Sequence, residues 1–327
     1  MNEVSQAIRG ARSALVAAHL SPDVDAAGSL LAVGYILAYL QVNSMLLLED
    51  GMPYEGRYLP GADRVVREAE GDFDLAIILD CSDLSRIGRA AECAGKLPVV
   101  NIDHHVTNSC FGTYNLVDPE MASTTQLVLR LAASMGVPLS PELSTCVLAG
   151  LVGDTQGFHT PNTDERALRD ACLLMEAGAD LWQANREIFQ RRPRSHLTLW
   201  GSVLAKAVRE DGLVWATIPL PLRRRAGVAD EDDAGIVNFL MSTEGTIAAA
   251  LFSERKDGTV NVNLRSLPGV DVAAIAVAFG GGGHRQAAGC TVAGSLASVS
   301  AAVLARLREE LGGATVRVAA ARQTGRP

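Results

Sequence analysis

Residues 75–80 of the chain read Leu75-Ala76-Ile77-Ile78-Leu79-Asp80, five uncharged apolar residues followed directly by an aspartate. Such a short apolar run is typical of a strand that is buried on both faces of a parallel sheet. On either side of it, similar runs occur at residues 13–18, 45–48 and 97–100, and helical patterns occur at residues 25–40, 122–136, 141–152 and 164–177. This alternation predicts an α/β domain in which helices flank a mainly parallel sheet.

The pattern changes near residues 190–195, a basic stretch that contains a proline. After it, a smaller α+β domain is predicted by strand patterns at 213–218, 246–253 and 259–264, an Asp257-Gly258 turn, and helical patterns near 271–278 and 296–311. We therefore expect a first domain at residues 1–190, a linker at 191–210 and a second domain at 211–327, with a cleft between the domains.

The overall composition excludes several classes of protein. Hydrophobic residues make up 48% of the chain, which is too much for a disordered protein. The 37 acidic and 29 basic residues give a net charge of −8, which argues against binding to long duplex nucleic acid. The six cysteines form no CxxC pair, which argues against a zinc ribbon or a disulfide framework.

One segment, residues 26–48, carries no charge over 23 residues and is long enough in principle to cross a bilayer. Glycine, serine, glutamine and asparagine residues interrupt it, so a buried helix followed by a strand is the better interpretation. The amino terminus lacks the basic and apolar regions of a secretory signal. We therefore expect a soluble, cytoplasmic protein with no membrane partner.

Aspartates and histidines follow the predicted strands at the points where those strands end. They are His19, Asp23 and Asp25 after the first run, Asp80 after the run at 75–79, and Asp103, His104 and His105 after the run that begins at 97. Asp154 ends a helical pattern and can join them. Because the carboxyl ends of parallel strands meet at one edge of a sheet, we expect these side chains to converge there.

So many carboxylates in one place would repel each other unless cations compensated them. A mixed set of aspartate and histidine ligands suits Mn²⁺, Fe²⁺, Co²⁺ or Zn²⁺ better than Mg²⁺ or Ca²⁺. The number of groups is sufficient for two ions that share one carboxylate. Such a pair of ions activates water and stabilises in-line displacement at phosphorus.

These positions resemble the four motifs of the DHH phosphoesterase superfamily, which are carried here by His19 with Asp23-Val24-Asp25, Asp80, Asp103-His104-His105, and Asp154. Downstream, Gly280-Gly281-Gly282-Gly283-His284 and Asn263-Leu264-Arg265-Ser266 resemble the DHHA1 substrate domain. The combination is similar to the NrnA-like group, which are two-domain nanoRNases that also dephosphorylate 3′-phosphoadenosine 5′-phosphate (pAp).

The resemblance implies a role for each of these residues. One metal ion, commonly Mn²⁺, would be held by His19, Asp23 and Asp80, and a second by Asp25, Asp80, His104 and Asp154. Asp103 and His105 would be catalytic: Asp103 would orient His104, and His105 would lie near the scissile phosphate. Substrate would be bound by Arg265, Ser266, Gly281, Gly282, Gly283 and His284, with a short helix beginning at His284 or Arg285.

The same resemblance implies a metal-dependent phosphoesterase that hydrolyses short 5′-phosphorylated oligoribonucleotides (nanoRNA) to mononucleotides, and pAp to AMP, through two metal ions and an activated water. Its partners would be short single-stranded RNA or nucleotides, and a homodimer is compatible with the family. Two alternatives stay open. One is a cyclic-dinucleotide phosphodiesterase with the same metal site, and the other is a non-catalytic regulator that binds metal and nucleotide.

The sequence departs from the family pattern at two positions. Val24 lies between the two aspartates of the first motif, where the family usually has glycine or another small residue. Gln126 ends the stretch Ala122-Ser123-Thr124-Thr125-Gln126, where the family commonly has glutamate. Neither change removes an expected metal ligand, but any role of a carboxylate at position 126 is in doubt.

Overall fold

The computed structural model describes residues 1–228, 233 and 235–324. The chain divides into two compact units, Met1–Arg191 and Arg192–Pro327. Helix α8 (Arg194–Leu204) and strand β7 (Val208–Glu210) both lie in the segment that we expected to be the linker. Most of that segment is therefore regular structure of the second unit.

The first unit is an α/β unit. Its strands are β1 (Ser13–Ala18), β2 (Asn43–Leu47), β3 (Val65–Val66), β4 (Leu75–Leu79), β5 (Val99–Asp103) and β6 (Tyr114–Val117). Its helices are α1 (Asn2–Gly10), α2 (Val24–Tyr39), α3 (Ala90–Ala94), α4 (Thr124–Ser134), α5 (Pro141–Asp154), α6 (Glu165–Glu176) and α7 (Leu181–Asn185). Short 3₁₀ turns at Tyr54–Gly56, Ala62–Arg64 and Leu84–Ile87 and a π turn at Arg186–Gln190 complete it.

The six strands form one sheet in the order β3-β2-β1-β4-β5-β6, and every neighbouring pair is parallel. The central strands β4 and β5 are buried along their whole length because apolar clusters cover both faces of the sheet. This arrangement confirms the α/β fold class and the parallel sheet that the apolar runs predict. The short strands β3 and β6 were not predicted.

Helix α2 explains the long uncharged segment, because the helix is buried on almost every side. It lies very close to α5: an added Cβ on Gly28 would lie 2.5 Å from the carbonyl oxygen of Cys146. The side chain of Val24 is accommodated in a similar way, because Gly153 has no side chain there: an added Cβ on Gly153 would lie 2.1 Å from Val24 Cγ1. Among the described residues, no helix combines the length and the apolarity needed to cross a membrane.

The second unit contains a second six-stranded sheet. Besides β7, its strands are β8 (Leu213–Ile218), β9 (Ala248–Glu254), β10 (Thr259–Ser266), β11 (Gly282–His284) and β12 (Ala287–Ala293). Besides α8, its helices are α9 (Leu220–Ala226), α10 (Ile236–Met241), α11 (Val272–Ala278) and α12 (Leu296–Thr324). The order is β11-β12-β10-β9-β8-β7, and of the neighbouring pairs only β8 and β9 are parallel.

The hairpin predicted at Asp257-Gly258 is confirmed, since β9 and β10 pair antiparallel and Gly258 has a φ of 81°. The helix expected at His284 or Arg285 is wrong. His284 instead ends strand β11, which pairs antiparallel with β12. The glycine run leads into this hairpin, and Gly283 has a φ of 134°, which favours glycine and does not begin a helix.

Candidate metal centre

The order of the first sheet creates a switch point beside β1. The chain runs outward from β1 to β2 and β3, and then returns to β4 on the other side of β1. In open α/β sheets, ligands bind outside the carboxyl ends of the strands at such a point. The residues that meet there are His19, Asp23 and Asp25 after β1, Asp80 after β4, Asp103, His104 and His105 at the end of β5, and Asp154 at the end of α5.

Two histidines of this group are held in the same way. His19 Nδ1 lies 2.8 Å from the main-chain carbonyl oxygen of the next residue, and His104 Nδ1 lies 3.2 Å from that of Met121. Because a carbonyl only accepts, Nδ1 carries the proton in the neutral ring and Nε2 presents a lone pair. His19 Nε2 lies 3.5 Å from Asp80 Oδ2, and His104 Nε2 lies 3.0 Å from Asp154 Oδ2. This orientation is the usual one for histidines that bind metals.

Asp80 is the centre of the cluster. Its Oδ2 faces His19, whereas its Oδ1 lies 3.8 Å from His104 Nε2 and 3.6 Å from His105 Nδ1. The backbone of Asp80 has a φ of 53°, in the left-handed region that few residues other than glycine adopt. Such strained residues persist where their surroundings fix them, and they are concentrated at functional sites.

The ligand atoms form overlapping groups. Within each group, one atom from each residue lies within 4.8 Å of the others. The groups that lie wholly within the first unit are His19 with Asp23 and Asp80, Asp25 with His104 and Asp154, and Asp80 with Asp103 and His105. The first two groups match the two ligand sets that the family resemblance implies, apart from the sharing of Asp80 by both.

The charges of the cluster fit divalent cations. In the described part of the chain, no lysine or arginine forms an ion pair with Asp25, Asp80 or Asp154. Burial, reinforced by the neighbouring acids, raises the pKa of Asp25 well above its usual value, and burial raises the pKa of Asp154 to about 6. Burial also acts on Asp80 and His19, but their mutual hydrogen bond prevails: the pKa of Asp80 is held below its usual range and the pKa of His19 is raised to about 9. The neighbouring acids therefore disfavour each other's negative charge, and divalent cations would relieve that repulsion.

The role expected for Asp103 needs correction. Asp103 Oδ1 lies 2.7 Å from His105 Nδ1 and accepts the main-chain N–H of the same residue at 3.2 Å. Its Oδ2 accepts from Asn108 Nδ2 at 2.6 Å. Asp103 therefore orients His105, whereas His104 is oriented by the carbonyl of Met121. Asn108 is a further residue of the site that sequence reasoning missed.

The amino terminus of α4 is also part of the site, although it lies far from the motifs in sequence. The main-chain N–H groups of Thr124 and Thr125 donate to the two oxygens of Asp25, at 2.7 and 3.1 Å. The hydroxyl of Thr124 donates to Asp80 Oδ1 at 2.9 Å. Gly150 on α5 completes the packing, because an added Cβ there would lie 2.3 Å from Asp25 Oδ1. In the sequence, this stretch stands out only for the glutamine at its end.

Gln126 has a structural role that explains the departure from glutamate. Its Oε1 accepts the main-chain N–H of Ala122 at 2.7 Å, and its Nε2 donates to Asp170 Oδ2 at 2.7 Å. Asp170 also receives two hydrogen bonds from Arg130, at 2.8 and 2.7 Å. A glutamate at position 126 would place a second buried carboxylate against Asp170, so an amide suits this environment.

In the second unit, neighbouring residues of β10 face opposite sides of the sheet. Arg265 lies on the half-exposed side, where its Nε donates to Asn238 Oδ1 at 3.0 Å. Ser266 faces the core, and its hydroxyl donates to the carbonyl of Val270 at 2.8 Å. The expected contact between Ser266 and substrate is therefore corrected: the hydroxyl is committed to the main chain on the side opposite Arg265.

The glycine run has several structural causes. An added Cβ on Gly281 would lie 2.1 Å from the carbonyl oxygen of Gly289, and one on Gly283 would lie 2.6 Å from that of Ala287. At Gly282, in contrast, an added Cβ would meet nothing within 4 Å. Packing thus requires glycine at positions 281 and 283, whereas the space beside Gly282 is open.

Comparison with known protein families gives two matches. The DHH family, N-terminal domain, matches residues 13–151, and the DHHA1 domain matches residues 214–313. The chain is 36% identical over 315 residues to a protein of Thermus thermophilus named bifunctional oligoribonuclease and PAP phosphatase NrnA. That similarity covers 94% of this chain and 93% of the relative.

Two further proteins are similar over much of the chain. The cyclic-di-AMP phosphodiesterase GdpP of Geobacillus thermodenitrificans is 27% identical, over 83% of this chain and 43% of the relative. The crystal structure of an exopolyphosphatase-related protein of Bacteroides fragilis has a TM-score of 0.86 at 23% identity, and the match covers 95% of this chain and 97% of that one. The latter similarity establishes that the fold is shared.

Proposed function

This chain belongs to the DHH family of hydrolases and carries a DHHA1 domain, and we propose on that basis that it hydrolyses short 5′-phosphorylated oligoribonucleotides to mononucleotides and converts pAp to AMP. The relative from Thermus thermophilus, whose name gives both activities, supports this choice because the similarity extends over nearly all of both chains.

The observation that carries the proposal is the pair of ligand groups at the switch point. One divalent cation would be held by His19, Asp23 and Asp80, and a second by Asp25, Asp80, His104 and Asp154. When bound, such cations, in our proposal Mn²⁺, would activate water for attack at phosphorus and stabilise the developing negative charge. One carboxylate oxygen of Asp80 faces His19 and the other faces His104, and this orientation supports Asp80 as a ligand that both cations share.

His105 acts on the substrate in this proposal. Its Nδ1 is engaged by Asp103, and Asn108 holds that carboxylate from the other side. Both contacts fix the ring, and in this proposal His105 Nε2 faces a phosphoryl or leaving-group oxygen. Burial lowers the pKa of His105, but the hydrogen bond to Asp103 and the charges of Asp80 and Asp103 outweigh burial and raise it, which favours the protonated ring that a proton donor requires.

We further propose that the second unit binds the distal part of the substrate. Arg265 would pair with a phosphate, since its guanidinium suits two parallel hydrogen bonds to phosphate oxygens. The nucleotide would enter the open space beside Gly282, where it would also contact Gly281, Gly283 and His284.

Product analysis by chromatography tests the proposal. Purified protein with Mn²⁺, and again with EDTA, is given a 5′-phosphorylated diribonucleotide, pAp and cyclic di-AMP in parallel. We expect Mn²⁺-dependent mononucleotide from the first and AMP from the second. Asp80→Asn serves as the inactive control, because asparagine also tolerates the left-handed backbone while removing the shared charged ligand.

A cyclic-dinucleotide phosphodiesterase is the second candidate, supported by the similarity to GdpP. Turnover of cyclic di-AMP alone would select this candidate and reject the nanoRNase proposal. Binding of Mn²⁺ and nucleotide without turnover of any of the three substrates would instead indicate a non-catalytic regulator.

The role of Arg265 has a separate test. We expect Arg265→Ala to raise KM for the diribonucleotide much more than for a small chromogenic phosphodiester, which lacks a second phosphate to bind. Arg285→Ala is the matched control, since Arg285 lies nearby in the β11–β12 hairpin region and its Nε is already paired with Asp271 Oδ2 at 3.1 Å. Equal losses on both substrates would refute the assignment.

A further inference from the structure

Thr124 makes contacts with two different acids of the metal centre. Its main-chain N–H donates to Asp25 Oδ2 at 2.7 Å, and its hydroxyl donates to Asp80 Oδ1 at 2.9 Å. The residue is completely buried, as is Asp25, and Asp80 is 2% exposed. One residue of α4 therefore connects the acid that follows β1 with the acid that follows β4.

Capping of α4 does not account for the hydroxyl of Thr124. Ser123 is the cap residue, and its side chain accepts the main-chain N–H of Gln126 at 3.3 Å. Thr124 is the first residue within the helix, where a hydroxyl is not needed to satisfy the helix itself. Its hydroxyl is directed at Asp80 instead.

The contact with Asp80 matters because of the backbone that carries this acid. Asp80 has a φ of 53°, in the left-handed region, and this backbone sets the direction from which its side chain enters the site. The side chain must also present its two oxygens to different histidines, His19 on one side and His104 on the other. A hydrogen bond to Oδ1 restricts rotation of the carboxylate, so that one oxygen stays directed at each histidine.

We propose that Thr124 is a positioning residue that fixes the carboxylates of Asp25 and Asp80 in the orientation required to bind both cations. The inference rests on the metal site of the proposed function, but it does not depend on which phosphate ester the protein hydrolyses. The Thr124 hydroxyl acts through Asp80, and the main-chain N–H of Thr124 acts through Asp25.

Thr124→Val tests the proposal because valine keeps the shape and the main-chain N–H but removes the hydroxyl. Mn²⁺ binding is measured on the full-length protein from the electron paramagnetic resonance signal of free Mn²⁺. We expect Thr124→Val to weaken Mn²⁺ binding by about 10–100-fold, the usual effect of removing a group that orients a metal ligand. Thr124→Ser, which restores the hydroxyl, should recover most of the affinity.

Ser144→Ala is the control for loss of a buried hydroxyl. Ser144 is also completely buried in the same unit, and its hydroxyl has no hydrogen-bond partner among the described residues. We expect this variant to bind Mn²⁺ like the wild type. Thermal unfolding in EDTA, recorded for every variant, establishes that each is folded at the temperature of the binding assay.

Activity provides a second readout, in which Thr124→Val should lower kcat on the diribonucleotide while KM stays near that of the wild type. Wild-type Mn²⁺ affinity in folded Thr124→Val would overturn the positioning role, as would failure of Thr124→Ser to recover binding. If the wild type binds Mn²⁺ and Thr124→Val does not, but no substrate is hydrolysed, the positioning role stands and the proposed function fails. Absence of Mn²⁺ binding by the wild type would overturn both.

Discussion

Replacing Gly150 by alanine tests the packing that supports the metal centre. Gly150 lies within α5, and an added Cβ would lie 2.3 Å from Asp25 Oδ1 and 2.4 Å from Thr125 Cγ2. Ordinary contact begins near 3.4 Å, so either Asp25 or the start of α4 must move by about 1 Å. Such a movement would break at least one of the hydrogen bonds of 2.7 and 3.1 Å that hold Asp25.

The expected magnitude follows from three terms. Overpacking of a core costs about 1–3 kcal/mol, and loss of a hydrogen bond to a charged group costs about 1.5–3 kcal/mol. Alanine stabilises a helix interior by about 1 kcal/mol relative to glycine. The free energy of unfolding should therefore fall by about 1.5–5 kcal/mol, and Mn²⁺ affinity should fall by about tenfold or more because Asp25 is displaced.

Urea unfolding in EDTA and Mn²⁺ titration of the folded protein measure the two effects. Gly201→Ala is the matched control, because Gly201 lies inside α8 and an added Cβ there would meet nothing within 4 Å. The control should be stabilised by up to about 1 kcal/mol and should bind Mn²⁺ normally. A Gly150→Ala protein with unchanged stability and Mn²⁺ affinity would show that Asp25 is not held as described.

Three further predictions follow. Gln126→Glu should lower the free energy of unfolding in urea by about 1–3 kcal/mol, because it adds a buried carboxylate beside Asp170. Adding Asp170→Asn to this variant should recover part of the loss, and a double variant in which the two losses simply add would count against the contact. Gly281→Ala should impair folding, whereas Gly282→Ala should have the melting temperature of the wild type and a higher KM for the diribonucleotide. An unchanged KM would show that Gly282 is not part of the substrate site. Mn²⁺ affinity should rise with pH through about 6, the pKa of Asp154, because the proton on this carboxyl competes with the cation. Calorimetric titration from about pH 5 to about pH 8 measures this rise, and its absence would contradict the pKa shift.

The parallel sheet and the position of its ligand-binding edge could be predicted because each depends on local sequence. An uninterrupted apolar run indicates a strand buried on both faces, and the acid that ends the run marks the carboxyl end. That information located Asp80 and the residues after β1 and β5 without any knowledge of the fold. Strands β3 and β6 were not predicted, because they contain only two and four residues.

Contacts between distant segments could not be predicted in this way. Asp25 and Thr124 are 99 positions apart, and their hydrogen bond depends on how α4 packs beside α2. The partner of Asp103 likewise depends on the turn after β5, which directs two consecutive histidines to different neighbours. The error at Ser266 was avoidable, because consecutive residues of a strand face opposite sides and Arg265 already occupied the other face.

The two helices that begin at the metal centre have an electrostatic consequence. Helix α2 begins after Asp23, and α4 directs its first main-chain N–H groups at Asp25. Each helix adds about half a positive charge at its amino end. This positive potential offsets part of the repulsion among the carboxylates, and it also attracts anions. The centre thereby combines side chains that suit cations with a surrounding field that suits an anion.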